Sequence, residues 1–126
     1  MKQTWNKCWK GSKQPRKQKK YVFNAPLNVV RKMFSSSLSK ELRTKYGKRN
    51  VIIRKGDKVK IMRGQFKRKV TKVEKVSYSK RRVILEDVAI IKKDGSKVPY
   101  PMQPSNLMIL ELNMEDKKRK KVFERK

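Results

Sequence analysis

The sequence has no histidine and only one cysteine, Cys8. Without histidine, the commonest general base and metal ligand is missing, and so is every Ser-His or Cys-His nucleophile pair. A single cysteine excludes an internal disulfide and a zinc site built from cysteine alone. We therefore predict no catalytic residues, no metal site and no cofactor.

Apolar residues are also scarce. They make up 36% of the 126 residues, whereas globular domains contain roughly 45–50%. No apolar run approaches the ~20 residues that cross a bilayer, and no apolar stretch follows the basic N-terminal residues as it would in a secretory signal. The composition predicts a cytoplasmic protein with one small core and extensions that order only against a partner.

Negative charge is rarer still. The sequence carries 38 Lys and Arg against 10 Asp and Glu, a formal net charge of +28. A monomer with this charge repels itself, so a partner of opposite sign is implied. A phosphate backbone is the densest such partner, and the charge therefore favours nucleic acid.

Residues 1–23 contain no acidic residue and interleave their cations with Trp5, Trp9, Tyr21 and Phe23. They show no apolar periodicity, which predicts an irregular arm. Basic side chains contact phosphates, and aromatic rings stack on unpaired bases. The alternative is a solvated, disordered tail. The predicted RNA contacts in this arm are Lys13, Arg16, Lys17, Lys19 and Lys20.

The next stretch predicts two short helices. Asn28 is expected to cap the first, which runs to Phe34. Ser39 is expected to cap the second, which runs to Tyr46 and ends at a left-handed Gly47. Such short helices need something to dock on.

A run of serines at residues 35–37 separates these helices, and we interpret it as a flexible joint. The cations on and after the helices are predicted to face RNA. They are Arg31, Lys32, Lys40, Arg43, Lys48 and Arg49.

Beyond residue 51 the pattern is typical of short strands with tight turns. Strands are predicted at 58–61, 67–76 (with a bulge), 83–91, near 98, and 107–112. Five such strands indicate a small closed barrel. The predicted core positions are Val59, Ile61, Val73, Val83, Leu85, Leu107 and Ile109.

The loop between the first two strands clusters basic side chains around Gly64, and we predict RNA contact there rather than a solvated tip. Phe66 either stacks on a base or covers the open end of the barrel. The predicted contacts at this edge are Arg54, Lys55, Arg63, Gln65, Phe66, Lys67, Arg68 and Lys69, and the predicted turn-formers are Gly56, Asp57, Gly64, Asp94 and Gly95.

The C-terminal segment predicts a basic helix. Asn113 is expected to cap it, with Glu115 and Asp116 in the first turn, followed by a lysine-rich run. We expect this helix to lie on RNA, or to fray without it.

Several segments together resemble a known family. Residues 54–67 resemble the opening of a KOW motif, and eight further segments follow the same pattern in order: 13–18, 24–27, 38–43, 45–47, 94–95, 98–101, 104–109 and 124–126. The set resembles the KOW-motif family of large-subunit ribosomal proteins numbered twenty-four, in its archaeal and eukaryotic form. The resemblance covers residues from about 12 to 126.

The resemblance implies a mainly β fold with an SH3-like barrel of about five strands. It implies a structural protein that binds the 5′ region of large-subunit rRNA and assists early subunit assembly. It also implies a place near the peptide exit, beside neighbouring ribosomal proteins and within reach of exit-site factors. The predicted regions are a basic arm (1–23), a helical extension (24–50), the KOW barrel (51–112) and a basic C-terminal helix (113–126).

One departure from the family pattern concerns the loop. The family usually has glycine where this sequence has Arg68 and Thr71. Because glycine accepts a positive φ cheaply, we expect this loop to differ in shape, with Arg68 and Lys69 supplying phosphate contacts instead. Residues 1–11, with Cys8 and both tryptophans, lie outside the family pattern.

Other function classes remain as alternatives. A KOW-type transcription elongation factor would need a surface for polymerase, and charge alone also allows a general nucleic-acid packaging protein. An RNA-processing enzyme would need a base or metal constellation, which the lack of histidine disfavours.

Overall fold

The computed structural model describes residues 5–6 and 11–124, so the expectations for Cys8 and Trp9 lie outside the described residues. Helices and strands alternate irregularly along the chain. The helices are α1 (Pro15–Asn24), α2 (Leu27–Met33), α3 (Lys40–Tyr46) and α4 (Lys117–Glu124). The strands are β1 (Ser35–Leu38), β2 (Asn50–Ile52), β3 (Lys58–Ile61), β4 (Val70–Ser77), β5 (Arg82–Leu85), β6 (Ala89–Ile91), β7 (Lys97–Pro99) and β8 (Leu107–Glu111).

Six strands form one sheet in the order β2-β1-β8-β3-β4-β5. The β1–β8 pair is parallel, and the other pairs are antiparallel. The β4–β5 register shifts between Val73 and Lys75, which confirms the predicted bulge. Strands β6 and β7 form a separate hairpin closed by the Asp94–Gly95 turn, with Gly95 at φ +82°. A single bridge from Val83 to Met102 ties the chain after this hairpin to β5.

The prediction of a mainly β fold with a closed five-stranded barrel is confirmed only in part. The described residues form four helices and eight strands, and β2 and β5 are the outer strands of an open six-stranded sheet.

The serine run that predicted a flexible joint is strand β1, inserted between β2 and β8. Ser36 is buried and its hydroxyl donates to the Pro104 carbonyl at 2.6 Å, so a small polar side chain suits this crowded position.

The core lies on one face of the large sheet. Val59 and Ile61 of β3 are buried while Lys58 and Lys60 lie on the other face, as the alternating pattern predicts. All seven predicted core positions are buried. The sequence did not indicate the remaining members, which are Phe34, Leu38, Val51, Ile53, Val88 and Met102.

The irregular arm predicted over residues 1–23 is wrong where helix α1 forms. Pro15 stands at the first turn, where its missing N–H costs nothing. The lysine, arginine and glutamine that follow have high helix propensity, which the absence of apolar periodicity concealed. The indole Nε1 of Trp5 donates to the Tyr21 carbonyl at 3.1 Å, and the two rings lie 5.1 Å apart between centroids.

The second predicted helix is confirmed, whereas the start of the first is wrong. Ser39 caps α3 by accepting from the Leu42 N–H, and Gly47 ends it at φ +63°. Helix α2 begins at Leu27, directly after Pro26, so Asn28 lies inside its first turn rather than at the cap. Pro26 is the residue before the helix, and its fixed φ of −62° is compatible with a helix start at the next residue.

Helix α4 starts later than predicted and packs against the sheet. The carboxylate of Asp116, rather than the side chain of Asn113, accepts a hydrogen bond from a backbone N–H of the first turn, that of Lys118 at 2.7 Å. Asn113 instead makes a local turn with Glu115. Phe123 of α4 packs on Tyr46 of α3, with centroids 4.5 Å apart.

Candidate nucleic-acid interface

The predicted RNA contacts lie on the surface in three regions of the chain, the arm, the helical extension and the region of residues 51–112. Every one of them is exposed except Lys48, Arg54 and Phe66, which are half-buried. Exposed lysine and arginine side chains without acidic neighbours are available to phosphate oxygens. The structure therefore places these side chains where a polyanion could reach them.

Two depressions bring separate segments together. The larger, of about 910 Å³, lies between β4 and the start of α4 and is lined by Arg54, Lys55 and Lys75 together with acidic residues. A smaller one of about 300 Å³ is lined by Lys32, Lys48 and Arg54. The smaller depression thus brings two cations of the helical extension beside Arg54, which also lines the larger one.

Four predicted contacts already have partners within the protein. Arg43 Nε donates to the Leu38 carbonyl at 2.8 Å, and Lys69 Nζ donates to the Asp87 carbonyl. Lys48 Nζ donates to a carbonyl of α4. The fourth, Arg54, pairs with Asp116. These side chains position their own segments, so contact with RNA would be shared or would require them to move.

The Arg54–Asp116 pair also has an electrostatic effect. The hydrogen bond from the Arg54 guanidinium, followed by the one from the Lys118 backbone N–H, lowers the pKa of Asp116. The carboxylate therefore stays ionised and neutralises part of the positive charge at the edge of the larger depression.

The loop at residues 63–69 keeps a left-handed turn despite its lack of a second glycine. Arg68 has φ +75°, and its N–H donates to the Ile61 carbonyl at 2.8 Å. The hydrogen bonds across the hairpin hold the arginine in the conformation that glycine prefers, and the expected difference from the family's loop shape stays a prediction. Thr71 lies within β4, where its hydroxyl donates to the Glu86 carbonyl at 2.6 Å.

Phe66 packs against Tyr100, with ring centroids 5.5 Å apart and planes 57° apart. It is half-buried against the hydrophobic core. Of the two roles left open for this ring, the geometry favours covering the core over stacking on a base.

The turn at Gly56 and Asp57 does more than reverse the chain. Gly56 has φ +85°, as expected for a turn-former. Asp57 is fully buried and forms a two-pronged ion pair with Arg119 of α4. Sequence reasoning missed Arg119, because nothing distinguishes it from the other cations in its lysine-rich run.

A third depression, missed from the sequence, lies beside the end of α1. It has a volume of about 700 Å³ and contains Phe23, Lys19 and Lys20 of α1 and Arg81 from the β4–β5 turn. Arg81 Nη2 donates to the carbonyls of Phe23, at 3.1 Å, and of Val22. Arginine is a favourable partner for the free carbonyls at a helix C-terminus.

Two further observations concern the described part of the chain. Within residues 5–6 and 11–124, no three acidic or cysteine side chains come together as a metal ion would require. No helix among them is both long enough and apolar enough to cross a bilayer.

A comparison with protein families gives a match over most of the chain. The model for the ribosomal proteins called L26 in eukaryotes and L24 in archaea matches residues 12–126. This match spans the sheet, all four helices and the three depressions, so it covers much more than the KOW-like segment. The chain therefore belongs to this family of eukaryotic L26 and archaeal L24 ribosomal proteins, which are constituents of the large ribosomal subunit.

Proposed function

We propose that this protein binds large-subunit rRNA as a structural constituent and neutralises phosphates on several RNA segments at once. The observation that carries the proposal is the distribution of exposed cations over α1, the α2–α3 extension, the loop at 63–69 and α4. Cations confined to one face would suit a single helix of RNA, whereas cations around the whole chain suit a protein surrounded by folded RNA.

The four regions predicted from the sequence act together in this proposal. The arm (1–23), the helical extension (24–50), the sheet region (51–112) and the C-terminal helix (113–126) each supply phosphate contacts. Recognition is by backbone and shape, because the grooves of A-form RNA expose little sequence information to side chains. Family membership supports the finer reading that the target is the 5′ region of the rRNA, bound early in assembly near the peptide exit.

The salt dependence of binding tests the electrostatic mechanism. With about ten phosphate contacts, log affinity for a 5′-region rRNA fragment should fall with log salt at a slope of roughly −7 to −9. The fragment is titrated with the full chain between low and moderate salt, and the slope is fitted. A slope near −2 would contradict the proposal.

Paired variants locate the contacts. Replacing Arg63 and Lys67 with Gln removes two exposed cations of the loop and should reduce the slope by about 1.4–1.8. The matched control replaces Lys92 and Lys93, two exposed cations of the β6–β7 turn outside the predicted interface. It should change the slope less, and equal effects would show that charge acts without a defined surface.

A further inference from the structure

The aromatic residues around α1 differ in how much of each ring is free. Trp5 and Tyr21 pack against each other and the Trp5 indole has a hydrogen-bond partner. Phe23, by contrast, is 78% exposed, although it lies in the last turn of the helix. One exposed ring by itself is ordinary on a protein surface, and Phe23 is of interest because of the cationic depression that it lines.

Phe23 borders the depression of about 700 Å³ described above. The remaining lining residues are Gln18, Lys19, Lys20, Val22 and Arg81, so its charged side chains are all cationic.

The Phe23 position is fixed from the opposite side of the depression. Arg81, held at φ +54°, donates from Nη2 to the Phe23 and Val22 carbonyls. The end of α1 is thereby tied to the β4–β5 turn, which fixes the backbone from which the Phe23 ring projects. A pre-organised surface binds at a lower entropic cost.

We propose that this depression, which we call the Phe23 pocket, binds an unpaired nucleotide of the RNA. The base stacks on the Phe23 ring, and the adjacent phosphates contact Lys19 and Lys20. An unpaired nucleotide combines a flat apolar face with negative charge, and the pocket combines an aromatic ring with a cationic border. A base in a duplex could not present its face in this way. The inference rests on the proposed rRNA binding and adds that one site distinguishes unpaired RNA from paired RNA.

The test compares two RNAs with the same number of nucleotides, one unstructured and one a hairpin whose loop is replaced by a non-nucleotide linker, so that every base is paired. Phe23→Ala should weaken binding of the unstructured RNA by about 5- to 150-fold, the range expected for one base–aromatic stack. It should leave hairpin binding and the salt slope unchanged, since no charge is removed. Phe23→Trp should restore the affinity, whereas Phe23→Leu should not, because leucine is apolar but cannot stack.

Ile91→Ala is the matched control, since Ile91 is 67% exposed on the β6–β7 hairpin and does not line the pocket. It should bind both RNAs like the parent protein. A 4-thiouridine in the unstructured RNA should photocrosslink to Phe23 or to a pocket neighbour. Full binding by Phe23→Leu, or equal weakening of both RNAs by Phe23→Ala, would overturn the inference.

The outcomes also separate this inference from the proposed function. If the parent protein binds neither RNA in a salt-dependent way, rRNA binding itself is wrong. If the parent binds RNA and Phe23→Ala binds as well as the parent, only the Phe23 pocket is wrong. If Phe23→Ala affects only the retention of a neighbouring protein in reconstituted subunits, the pocket holds protein rather than RNA, and the inference fails.

Discussion

The guanidinium of Arg119 forms a two-pronged ion pair with the carboxylate of Asp57 in the interior of the protein. Nη1 is 2.5 Å from Oδ1 and Nη2 is 2.8 Å from Oδ2, with the two side chains 3% and 0% exposed. Each carboxylate oxygen also accepts a backbone N–H, Oδ2 from Arg54 and Oδ1 from Asn113. The pair therefore joins the turn before β3 to helix α4. Arg119 thus differs from most cations of this chain, because its charge stabilises the fold.

Breaking this pair should destabilise the protein strongly. Arg119→Ala leaves the Asp57 carboxylate buried without its cation, and loss of one partner of a buried ion pair costs about 3–5 kcal/mol. Urea unfolding of the full chain measures the change. The control is Lys118→Ala, an exposed neighbour on the same helix, which should stay within about 0.5 kcal/mol of the parent. A loss below about 1 kcal/mol for Arg119→Ala would show that water reaches Asp57.

Gly56 is expected to resist substitution for two separate reasons. A Cβ there would lie 2.8 Å from Asn113 Nδ2, and its φ is +85°. Gly95 has a similar φ of +82° but open space around it, so Gly95→Ala measures backbone strain alone, about 1–2 kcal/mol. Gly56→Ala should lower the free energy of unfolding by more than Gly95→Ala does. Equal losses would mean that the Asn113 side chain moves aside freely.

The comparison of sequence with structure shows where local patterns are sufficient. Alternation predicted the buried face of β3, and Ser39 with Gly47 predicted both ends of α3, because these signals depend on residues close in sequence. The pairing of β1 with β8 could not be predicted in this way. It joins residues about seventy positions apart, and a run of serines has no strand pattern of its own.

The candidate interface also contains features that local sequence patterns predict and features that depend on distant contacts. The exposure of the interface cations could be predicted, because 38 Lys and Arg have only 10 Asp and Glu to pair with in the interior. The roles of Arg81 and Arg119 were not, since each is one basic residue among many until the fold places it against a particular carbonyl or carboxylate. Phe23 was seen as one aromatic residue of an arm, and only the helix and the Arg81 contact distinguish it from Tyr21.

Replacing Arg68 should separate backbone strain from charge. Its φ of +75° is costly for a residue with a Cβ, so Arg68→Gly should match or exceed the parent in unfolding free energy, by up to about 1 kcal/mol. The same change removes a cation from the loop and should reduce the salt slope of RNA binding by about 0.7–0.9.

Lys67→Gly provides the control for this prediction, because Lys67 is exposed in the same turn and its φ is not positive. It should reduce the salt slope by a similar amount while lowering stability, since glycine adds only freedom to the unfolded chain there. If both variants are destabilised equally, the strain at Arg68 is negligible.

Acid should weaken the attachment of α4 through Asp116. The hydrogen bond from Arg54 lowers the pKa of Asp116 in the folded protein. A carboxyl whose pKa is lower when folded stabilises the fold above its unfolded pKa of about 3.9, and this contribution is lost as the pH falls through the folded pKa. The stability difference between the parent and Asp116→Asn should therefore be constant near neutral pH and shrink below about pH 4.

The cause of this shift can be tested directly by following the Asp116 carboxyl carbon by NMR during an acid titration. Arg54→Gln removes the largest cause and should raise the pKa of Asp116 toward its ordinary value. Lys55→Gln removes an adjacent exposed cation that does not bond to Asp116, so it should leave that pKa nearly unchanged because solvent screens charges outside direct contact. If Lys55→Gln raised the pKa as much as Arg54→Gln did, the general positive field of the protein, rather than the Arg54 hydrogen bond, would hold Asp116 ionised.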